Sequence, residues 1–205
     1  MRDAREVEID LAAYYDQEAD FRAKQPLNAE RLTARDEFAS RLVQGTDRLL
    51  EIGTGAGRDT GFFVERGIST FGIDLSFAQL GHAAARGASV VLASVRHIHF
   101  PDEHFDAVWT MSTLMHVPDT AIESALAELR RVLSPGATAA IGVWGGPDVE
   151  ELSHGERYTP ARLFSRRSDE RWKSLLSSLG RVEEFQTWGH GLDEFWYQWA
   201  VVRRD

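Results

Sequence analysis

Residues 49–60 read Leu49-Leu50-Glu51-Ile52-Gly53-Thr54-Gly55-Ala56-Gly57-Arg58-Asp59-Thr60, and the run Phe71-Gly72-Ile73-Asp74 follows. The pattern predicts a buried strand, a glycine-rich turn that opens a helix, and a second strand that ends in an acid. Glycines leave room for a ligand to approach the backbone closely. A carboxylate after the second strand is suited to accept hydrogen bonds from two ribose hydroxyls. This stretch therefore predicts a nucleoside site on an α/β sheet.

The spacing of the glycines indicates which nucleoside. The turn has the pattern G-x-G-x-G, whereas the dinucleotide fingerprint is G-x-G-x-x-G, and Arg58 stands at the third fingerprint position. Glu51 precedes the turn and Asp59 follows it. Carboxylates disfavour a pyrophosphate but suit an ammonium group. The pattern therefore favours S-adenosylmethionine, which has a ribose and an amino-acid tail, over a nicotinamide dinucleotide.

Four motifs carry a resemblance to a known family. In chain order they are Glu51-Ile-Gly-Thr-Gly-Ala-Gly57, Gly72-Ile-Asp74-Leu-Ser76, Phe100-Pro-Asp-Glu-His-Phe-Asp106-Ala-Val108 and Glu128-Leu-Arg-Arg-Val-Leu-Ser-Pro-Gly136. With them the chain resembles the class I S-adenosylmethionine-dependent methyltransferases, particularly the small bacterial methyltransferase-11/25-like domains, over roughly 48–143. The resemblance implies an α/β, Rossmann-like sandwich. Its mostly parallel seven-stranded sheet would carry a C-terminal antiparallel hairpin and N-terminal helices over the pocket.

The same resemblance assigns parts of the cofactor to residues. The glycine turn would pack against the methionine part, with the carboxylates of Glu51 and Asp59 as candidates for its ammonium, directly or through water. Asp74 would bind the ribose and Leu75 would pack on the adenine. The implied cofactor-binding set is Glu51, Gly53, Thr54, Gly55, Gly57, Asp59, Asp74, Leu75, Ser76, Ser94, Val95, Met111 and Tyr15. The alternative is a tight turn without a ligand, in which Asp59 is only an acid at a helix start.

One position departs from the family pattern. Where members often carry an acid that meets the adenine amino group, this chain has Ser94. A serine hydroxyl can accept a hydrogen bond, but it is neutral and short. The adenine contact is therefore expected to be weaker, or to depend on the backbone N–H of Val95.

The end of the fourth predicted strand supplies the candidate base. His116 follows that strand, and ligands on open α/β sheets bind outside this edge. It is the best-placed general base, and the alternative is a histidine that only lines the pocket wall. The candidate acceptor-binding residues are Tyr14, His116, Trp144 and Tyr158, for which packing in the core or between helices is the alternative.

The amino-acid composition argues against several kinds of site and partner. The chain has 205 residues and no cysteine, so disulfides and thiolate metal sites are excluded. It has 32 acidic and 23 basic residues, a net charge of −9, which opposes binding to nucleic acid. No metal is expected, because the histidines at 97, 99 and 104 lack a carboxylate at zinc spacing. The N-terminus lacks an apolar signal segment, so a cytoplasmic monomer or homodimer without membrane contact is expected.

The order of elements predicts one domain over 1–205. We expect an N-terminal helical cap over 1–45, with a helix that begins after Asn28, a cofactor-binding core over 46–143, a substrate lid over 144–167, and a helix with a strand hairpin over 168–205. Strands are predicted at 48–53, 70–74, 89–93, 105–110, 137–143, 182–188 and 195–203. Core helices are predicted at 58–66, 76–86 and 119–133, the last capped by Asp119 and ended by Ser134-Pro135-Gly136.

These expectations define a function. The chain is expected to transfer a methyl group from S-adenosylmethionine to an oxygen or nitrogen of a small-molecule acceptor, mainly by proximity and alignment, and to release S-adenosylhomocysteine. A nicotinamide-dependent oxidoreductase is the first alternative, which the glycine spacing opposes. A noncatalytic protein that binds S-adenosylmethionine is the second.

Overall fold

The structure is a computed structural model that describes residues 2–189 and 195–205. The predicted hairpin turn with His190 and Gly191 lies outside the described residues. The helices are α1 (Ala4–Ala23), α2 (Ala29–Ala39), α3 (Arg58–Glu65), α4 (Phe77–Ala84), α5 (Ile122–Val132) and α6 (Asp169–Leu176). The strands are β1 (Arg48–Ile52), β2 (Ser69–Asp74), β3 (Ser89–Leu92), β4 (Phe105–Met111), β5 (Leu133–Gly145), β6 (Val149–Leu152), β7 (Leu163–Arg166), β8 (Arg181–Trp188) and β9 (Trp196–Arg203).

Seven strands form one sheet in the order β3-β2-β1-β4-β5-β9-β8. The first five are parallel, and β9 runs antiparallel to both β5 and β8. The predicted fold, a mostly parallel sheet with a C-terminal antiparallel hairpin, is confirmed. From β1 the chain continues to β2 on one side, and β4 lies on the other, so the strand order reverses at β1. Open α/β sheets bind ligands at the carboxyl ends of the strands at such a reversal.

Burial explains why the central strands read as continuous apolar runs. Leu49 and Leu50 of β1 and Val108 of β4 have no exposed surface. A parallel sheet is covered by helices on both faces, so neither face of a central strand meets water. Helix α5 covers one face with Ile122, Leu126 and Leu129, which recur at helical spacing and are buried.

Two predicted boundaries around α5 are wrong. The helix starts at Ile122 rather than at 119, and its N-cap, Ala121, makes no side-chain cap bond. Asp119 instead binds the guanidinium groups of Arg167 and Arg171. At the other end, β5 begins at Leu133, directly after the helix. Ser134-Pro135-Gly136 falls where the β4–β5 register shifts, so these residues form an irregular start of the strand instead of a loop.

The N-terminal helix α1 and the 144–167 segment lie above the sheet. Helix α1 begins at the N-cap Asp3, whose side chain accepts from the N–H of Arg5. It is fixed to α4 by Asp16, which accepts from Ser76 Oγ at 2.6 Å and from Ala78 N at 3.0 Å. The predicted lid over 144–167 contains a second, two-stranded antiparallel sheet of β6 and β7. The division of the chain into four segments stays a prediction.

Within residues 2–189 and 195–205, no helix combines the length and the apolar composition that crossing a membrane requires.

Candidate cofactor and acceptor site

A cavity of about 360 Å³ lies at the carboxyl ends of β1 to β4. Helix α1 roofs it with residues that recur at helical spacing and share one face: Ala4, Val7, Glu8, Leu11 and Tyr15. The predicted position of an N-terminal helix over the pocket is therefore observed. Eleven of the predicted site residues line this cavity: Gly53, Thr54, Gly55, Asp74, Leu75, Ser94, Val95, Met111, Tyr15, His116 and Trp144.

The glycines of the turn have different structural roles. Gly55 has φ +52°, and a Cβ placed there would meet nothing closer than Gln79 Oε1 at 3.9 Å, so its open side faces the cavity. Gly57 has φ +72°, and a Cβ there would lie 2.5 Å from the Cα of Ala83 in α4. Gly57 therefore permits α3 and α4 to pack closely and does not line the cavity, and its role in binding the cofactor stays a prediction.

Asp74 is held by the backbone around it. Its Oδ2 accepts from Gly55 N at 2.8 Å and its Oδ1 from Ser76 N at 2.9 Å. Burial raises the pKa of Asp74, while these backbone bonds oppose the rise. Each carboxylate oxygen can accept a further hydrogen bond. The side chain is thus oriented before any ligand binds, and it presents acceptors to the cavity as the predicted ribose contact requires.

Gln79 is a site residue that the sequence analysis missed. Its side chain is buried, and Nε2 lies 3.5 Å from the backbone oxygen of Tyr15. A carbonyl only accepts, so the nitrogen belongs on that side and Oε1 belongs on the other. Among the described residues no group donates to Oε1, and Gln79 lines the cavity. A buried acceptor without a donor costs about 1–3 kcal/mol, which a ligand hydroxyl or ammonium would relieve. The cavity therefore fits a polar nucleoside ligand.

Glu51 lies behind the glycine turn rather than on the cavity wall. Its carboxyl group is buried and accepts from the hydroxyl of Thr60, which also contacts Thr54. Burial, with a further contribution from the nearby Asp59 charge, raises the pKa of Glu51 to about 8. A group with this pKa is mostly uncharged at neutral pH. Glu51 does not line the cavity, and its predicted contact with an ammonium, directly or through water, stays a prediction.

Asp59 is also bound elsewhere. Its carboxylate accepts from Arg31 Nη2 at 2.5 Å, Arg35 Nη1 at 3.1 Å and Trp109 Nε1 at 2.9 Å. The side chain is fully buried in this cluster and does not line the cavity. Asp59 thus joins α2 and α3 to the sheet, and its predicted contact with the ammonium of the cofactor, directly or through water, stays a prediction. Sequence alone gave no signal for this cluster, because the arginines lie in a separate helix.

Three further predicted site residues do not line the cavity but fix α1, the helix that covers it, to its neighbours. Ser76 is the N-cap of α4, and its side chain accepts from Gln79 N. Tyr14 donates to Glu156 Oε2 at 2.5 Å, and its ring packs edge-on against that of Tyr158. These contacts tie α1 to the 144–167 segment. The predicted acceptor contacts of Tyr14 and Tyr158 are therefore not seen, because neither side chain reaches the cavity.

His116, Tyr15 and Arg162 form a hydrogen-bonded chain in the cavity wall. His116 Nδ1 lies 2.7 Å from the carbonyl oxygen of Leu163, so Nδ1 carries the hydrogen and Nε2 is an acceptor. The Tyr15 hydroxyl donates to Nε2 at 2.8 Å, and Arg162 Nη1 donates to the Tyr15 oxygen at 3.0 Å. Burial, with the Arg162 charge adding to its effect, lowers the pKa of His116 to about 3. The geometry supports the pocket-wall interpretation of His116 and opposes its use as a general base.

Comparison with known proteins adds sequence and fold relatives. A family model described as a methyltransferase domain matches residues 50–141. Demethylmenaquinone methyltransferase of Thermobifida fusca is 31% identical over 154 residues, which are 70% of this chain and 64% of the relative. Ubiquinone biosynthesis O-methyltransferase of Hahella chejuensis is 35% identical over 136 residues, 62% of this chain and 55% of the relative. The chain thus spans less than two thirds of the length of either relative.

A solved structure shares the fold over the whole chain. The 1,6-didemethyltoxoflavin-N1-methyltransferase of Burkholderia thailandensis, determined with 1,6-didemethyltoxoflavin and S-adenosylhomocysteine, superposes with a TM-score of 0.77. The match covers 100% of this chain and 91% of the other at 20% identity. At that identity the likeness concerns the fold alone.

Proposed function

We propose that this chain is a class I S-adenosylmethionine-dependent methyltransferase and that it transfers a methyl group from S-adenosylmethionine to an oxygen or nitrogen of a small-molecule acceptor; the methyltransferase-domain match and the methyltransferase relatives support this. The observation that carries the proposal is the arrangement of Gly55, Asp74 and Gln79 around one cavity at the reversal of strand order. Gly55 leaves the turn open, and the two side chains offer oxygen acceptors. This arrangement suits a ribose and does not require a pyrophosphate.

Arg58 supports binding of the amino-acid part of the cofactor. It lines the cavity and donates to the backbone oxygen of Gln25 at 2.7 Å. Burial, with the charge of Arg31 next, lowers the pKa of Arg58 to about 10, so the group stays cationic at neutral pH. A guanidinium is suited to binding a carboxylate. The glycine turn and Arg58 would hold the methionine part, and Asp74 and Gln79 would hold the ribose.

The molecule that accepts the methyl group must reach this site with a free lone pair on the atom to be methylated. When bound, S-adenosylmethionine supplies an electrophilic methyl group, so the main task of the protein is alignment. The lone pair of His116 Nε2 is used by the Tyr15 hydroxyl. Burial raises the pKa of Tyr15, so its hydroxyl keeps its proton at neutral pH. Neither group is suited to remove a proton from an alcohol, which favours an amine or an already deprotonated oxygen as the acceptor.

The acceptor side of the cavity is apolar and aromatic. Met111, Met115, Phe164 and the partly exposed Trp144 line it beside His116. Such a wall suits a flat small molecule with few polar groups. The name of one sequence relative, an O-methyltransferase, supports oxygen as an acceptor atom. The net charge of −9 supports a small molecule over a nucleic acid.

Calorimetric titration tests the cofactor assignment. S-adenosylhomocysteine is expected to bind and NAD is not, and tighter binding of NAD would favour the oxidoreductase alternative. Asp74→Asn keeps one acceptor oxygen but loses the charge, so we expect roughly 10- to 100-fold weaker binding of S-adenosylhomocysteine. Asp36→Asn is the matched control, since Asp36 lies on α2 with an exposed side chain. Unchanged affinity in Asp74→Asn would remove Asp74 from the site.

Labelled S-adenosylmethionine tests the activity itself. The protein is incubated with a small-molecule extract, and mass spectrometry follows the label into a methylated product. A product that requires the protein supports transfer. Binding of the cofactor without any labelled product across extracts that contain amines and phenols would favour the noncatalytic alternative.

A further inference from the structure

A polar cluster in the cavity wall joins the roof to the end of β3. Glu8 of α1 accepts from Ser94 Oγ at 2.5 Å and from Arg96 Nε at 2.6 Å, both at Oε1. Its Oε2 accepts from Arg96 Nη2 at 2.8 Å. Glu8 and Ser94 are 86 residues apart in the sequence, and all three residues line the cavity. Helix α1 thus places the Glu8 carboxylate at the end of β3, where the strand itself is followed only by Ser94.

The hydrogen bonds of Ser94 show what it does there. Its hydroxyl has one hydrogen, which it donates to Glu8, and its oxygen accepts from the backbone N–H of Arg96 at 3.0 Å. Ser94 therefore positions the carboxylate, which leaves Glu8 as the stronger acceptor at this end of the cavity. Burial would raise the pKa of Glu8, but the bonds from Arg96 and Ser94 outweigh it and lower the pKa, so the group is a carboxylate at neutral pH.

Glu8 retains capacity to bind a ligand. A carboxylate has about four acceptor positions. Three are used by donors in the described part of the chain, two at Oε1 and one at Oε2. The remaining position is on Oε2, in a side chain that lines the cavity. An acceptor fixed in this way selects a ligand group that carries a hydrogen.

The position of this cluster indicates which part of the ligand it meets. Strands β2 and β3 are neighbours, with Asp74 paired with Leu92, and adjacent strands lie about 4.8 Å apart. A nucleoside with its ribose at Asp74 places its base beyond the ribose, and the cavity continues past Leu75 to Ser94 and Glu8. The group that faces Glu8 is thus an edge of the base.

We propose that Glu8 recognises the exocyclic amino group of the purine and that Ser94 and Arg96 position its carboxylate for this contact. The proposal rests on the proposed function, because it assumes that the cavity holds S-adenosylmethionine. It places a determinant of base specificity on the roof helix rather than on the sheet. Recognition of the base therefore depends on α1 being docked.

The test compares the binding of S-adenosylhomocysteine with that of its 6-oxo analogue S-inosylhomocysteine, in which a carbonyl oxygen replaces the amino group and N1 carries a hydrogen. We expect the wild-type protein to prefer the amino form by roughly 10- to 100-fold. In Glu8→Gln the amide oxygen should take the place of Oε1, which accepts from Ser94 and Arg96 Nε. The amide nitrogen then takes the place of Oε2, where it loses the bond from Arg96 Nη2 and presents an N–H group to the cavity. The acceptor becomes a donor, so the preference is expected to fall to about onefold or to reverse in favour of the 6-oxo form.

Two controls keep the test decisive. Glu6→Gln removes a charge from an exposed position of the same helix and should keep the wild-type ratio. Each ratio comes from two titrations of one preparation, so a fraction of unfolded protein does not change it. A wild-type ratio near one, or an unchanged ratio in Glu8→Gln, would overturn the proposal. Failure of the wild-type protein to bind either ligand is a different result, which would overturn the proposed function.

Discussion

The sheet-side wall of the cavity and its roof are held together in different ways. On the wall, Asp74 is bound by the backbone N–H groups of Gly55 and Ser76, which are 19 and 2 residues away in the sequence. On the roof, Glu8 is bound across 86 residues and Tyr15 across 147 residues, by side chains. The contacts that hold Asp74 are therefore complete once the first βαβ unit has folded. The roof requires the whole chain, and each of its contacts can be removed by one substitution.

The largest expected effect is at Asp59, where α2 joins the wall. Asp59→Asn leaves Arg31 and Arg35 in a buried site without their counter-charge. Breaking a buried ion pair from one side costs about 3–5 kcal/mol, so the free energy of unfolding in urea should fall by about that amount. Asp36→Asn breaks an exposed pair with Arg66 and should cost under about 1 kcal/mol.

The same variant separates the two roles considered for Asp59. With a structural role, the folded fraction of Asp59→Asn still binds S-adenosylhomocysteine. If stability were kept and binding lost, Asp59 would be a cofactor ligand, and the cofactor site would include residues behind the glycine turn.

Two glycine substitutions test whether Gly57 serves helix packing while Gly55 leaves space for the ligand. Gly57→Ala places a Cβ 2.5 Å from the backbone of α4, so either the helix or the turn must move. We expect a loss of about 2–3 kcal/mol in the free energy of unfolding, as for other overpacked sites. Gly55→Ala meets no such contact and should lose only about 1 kcal/mol, from its positive φ.

Ligand binding should rank these two variants in the opposite order. The new methyl group at Gly55 projects toward the cavity, so S-adenosylhomocysteine should bind more weakly to Gly55→Ala than to folded Gly57→Ala. Calorimetry on both proteins measures this. Equal losses of affinity would mean that the turn acts as one unit and that the distinction between its glycines is wrong.

The difference between wall and roof also explains what the sequence could predict. Asp74 and Gly55 were predictable because a strand, a turn and a strand in one short stretch fix their positions. Glu51 and Asp59 were predicted by sequence proximity, but their side chains point away from the cavity, which spacing does not report. Gln79 and Glu8 are an ordinary glutamine and glutamate on helices. Only tertiary packing places them beside the ligand, so no local pattern marked them.

The last prediction concerns how the free energy of unfolding depends on pH through His116, whose Nε2 contacts Tyr15 of α1. The pKa of His116 is lowered to about 3 in the folded protein, whereas an unfolded histidine titrates near 6.5. Between these values the unfolded chain binds a proton that the folded protein does not, so folding loses stability as the pH falls. The loss approaches about 1.4 kcal/mol per pH unit well below 6.5 and amounts to roughly 1–2 kcal/mol by pH 5. In His116→Gln this part of the pH dependence should vanish. Urea unfolding of both proteins at pH 7 and pH 5 measures the difference, and an identical change in stability in both would mean that burial does not keep His116 neutral.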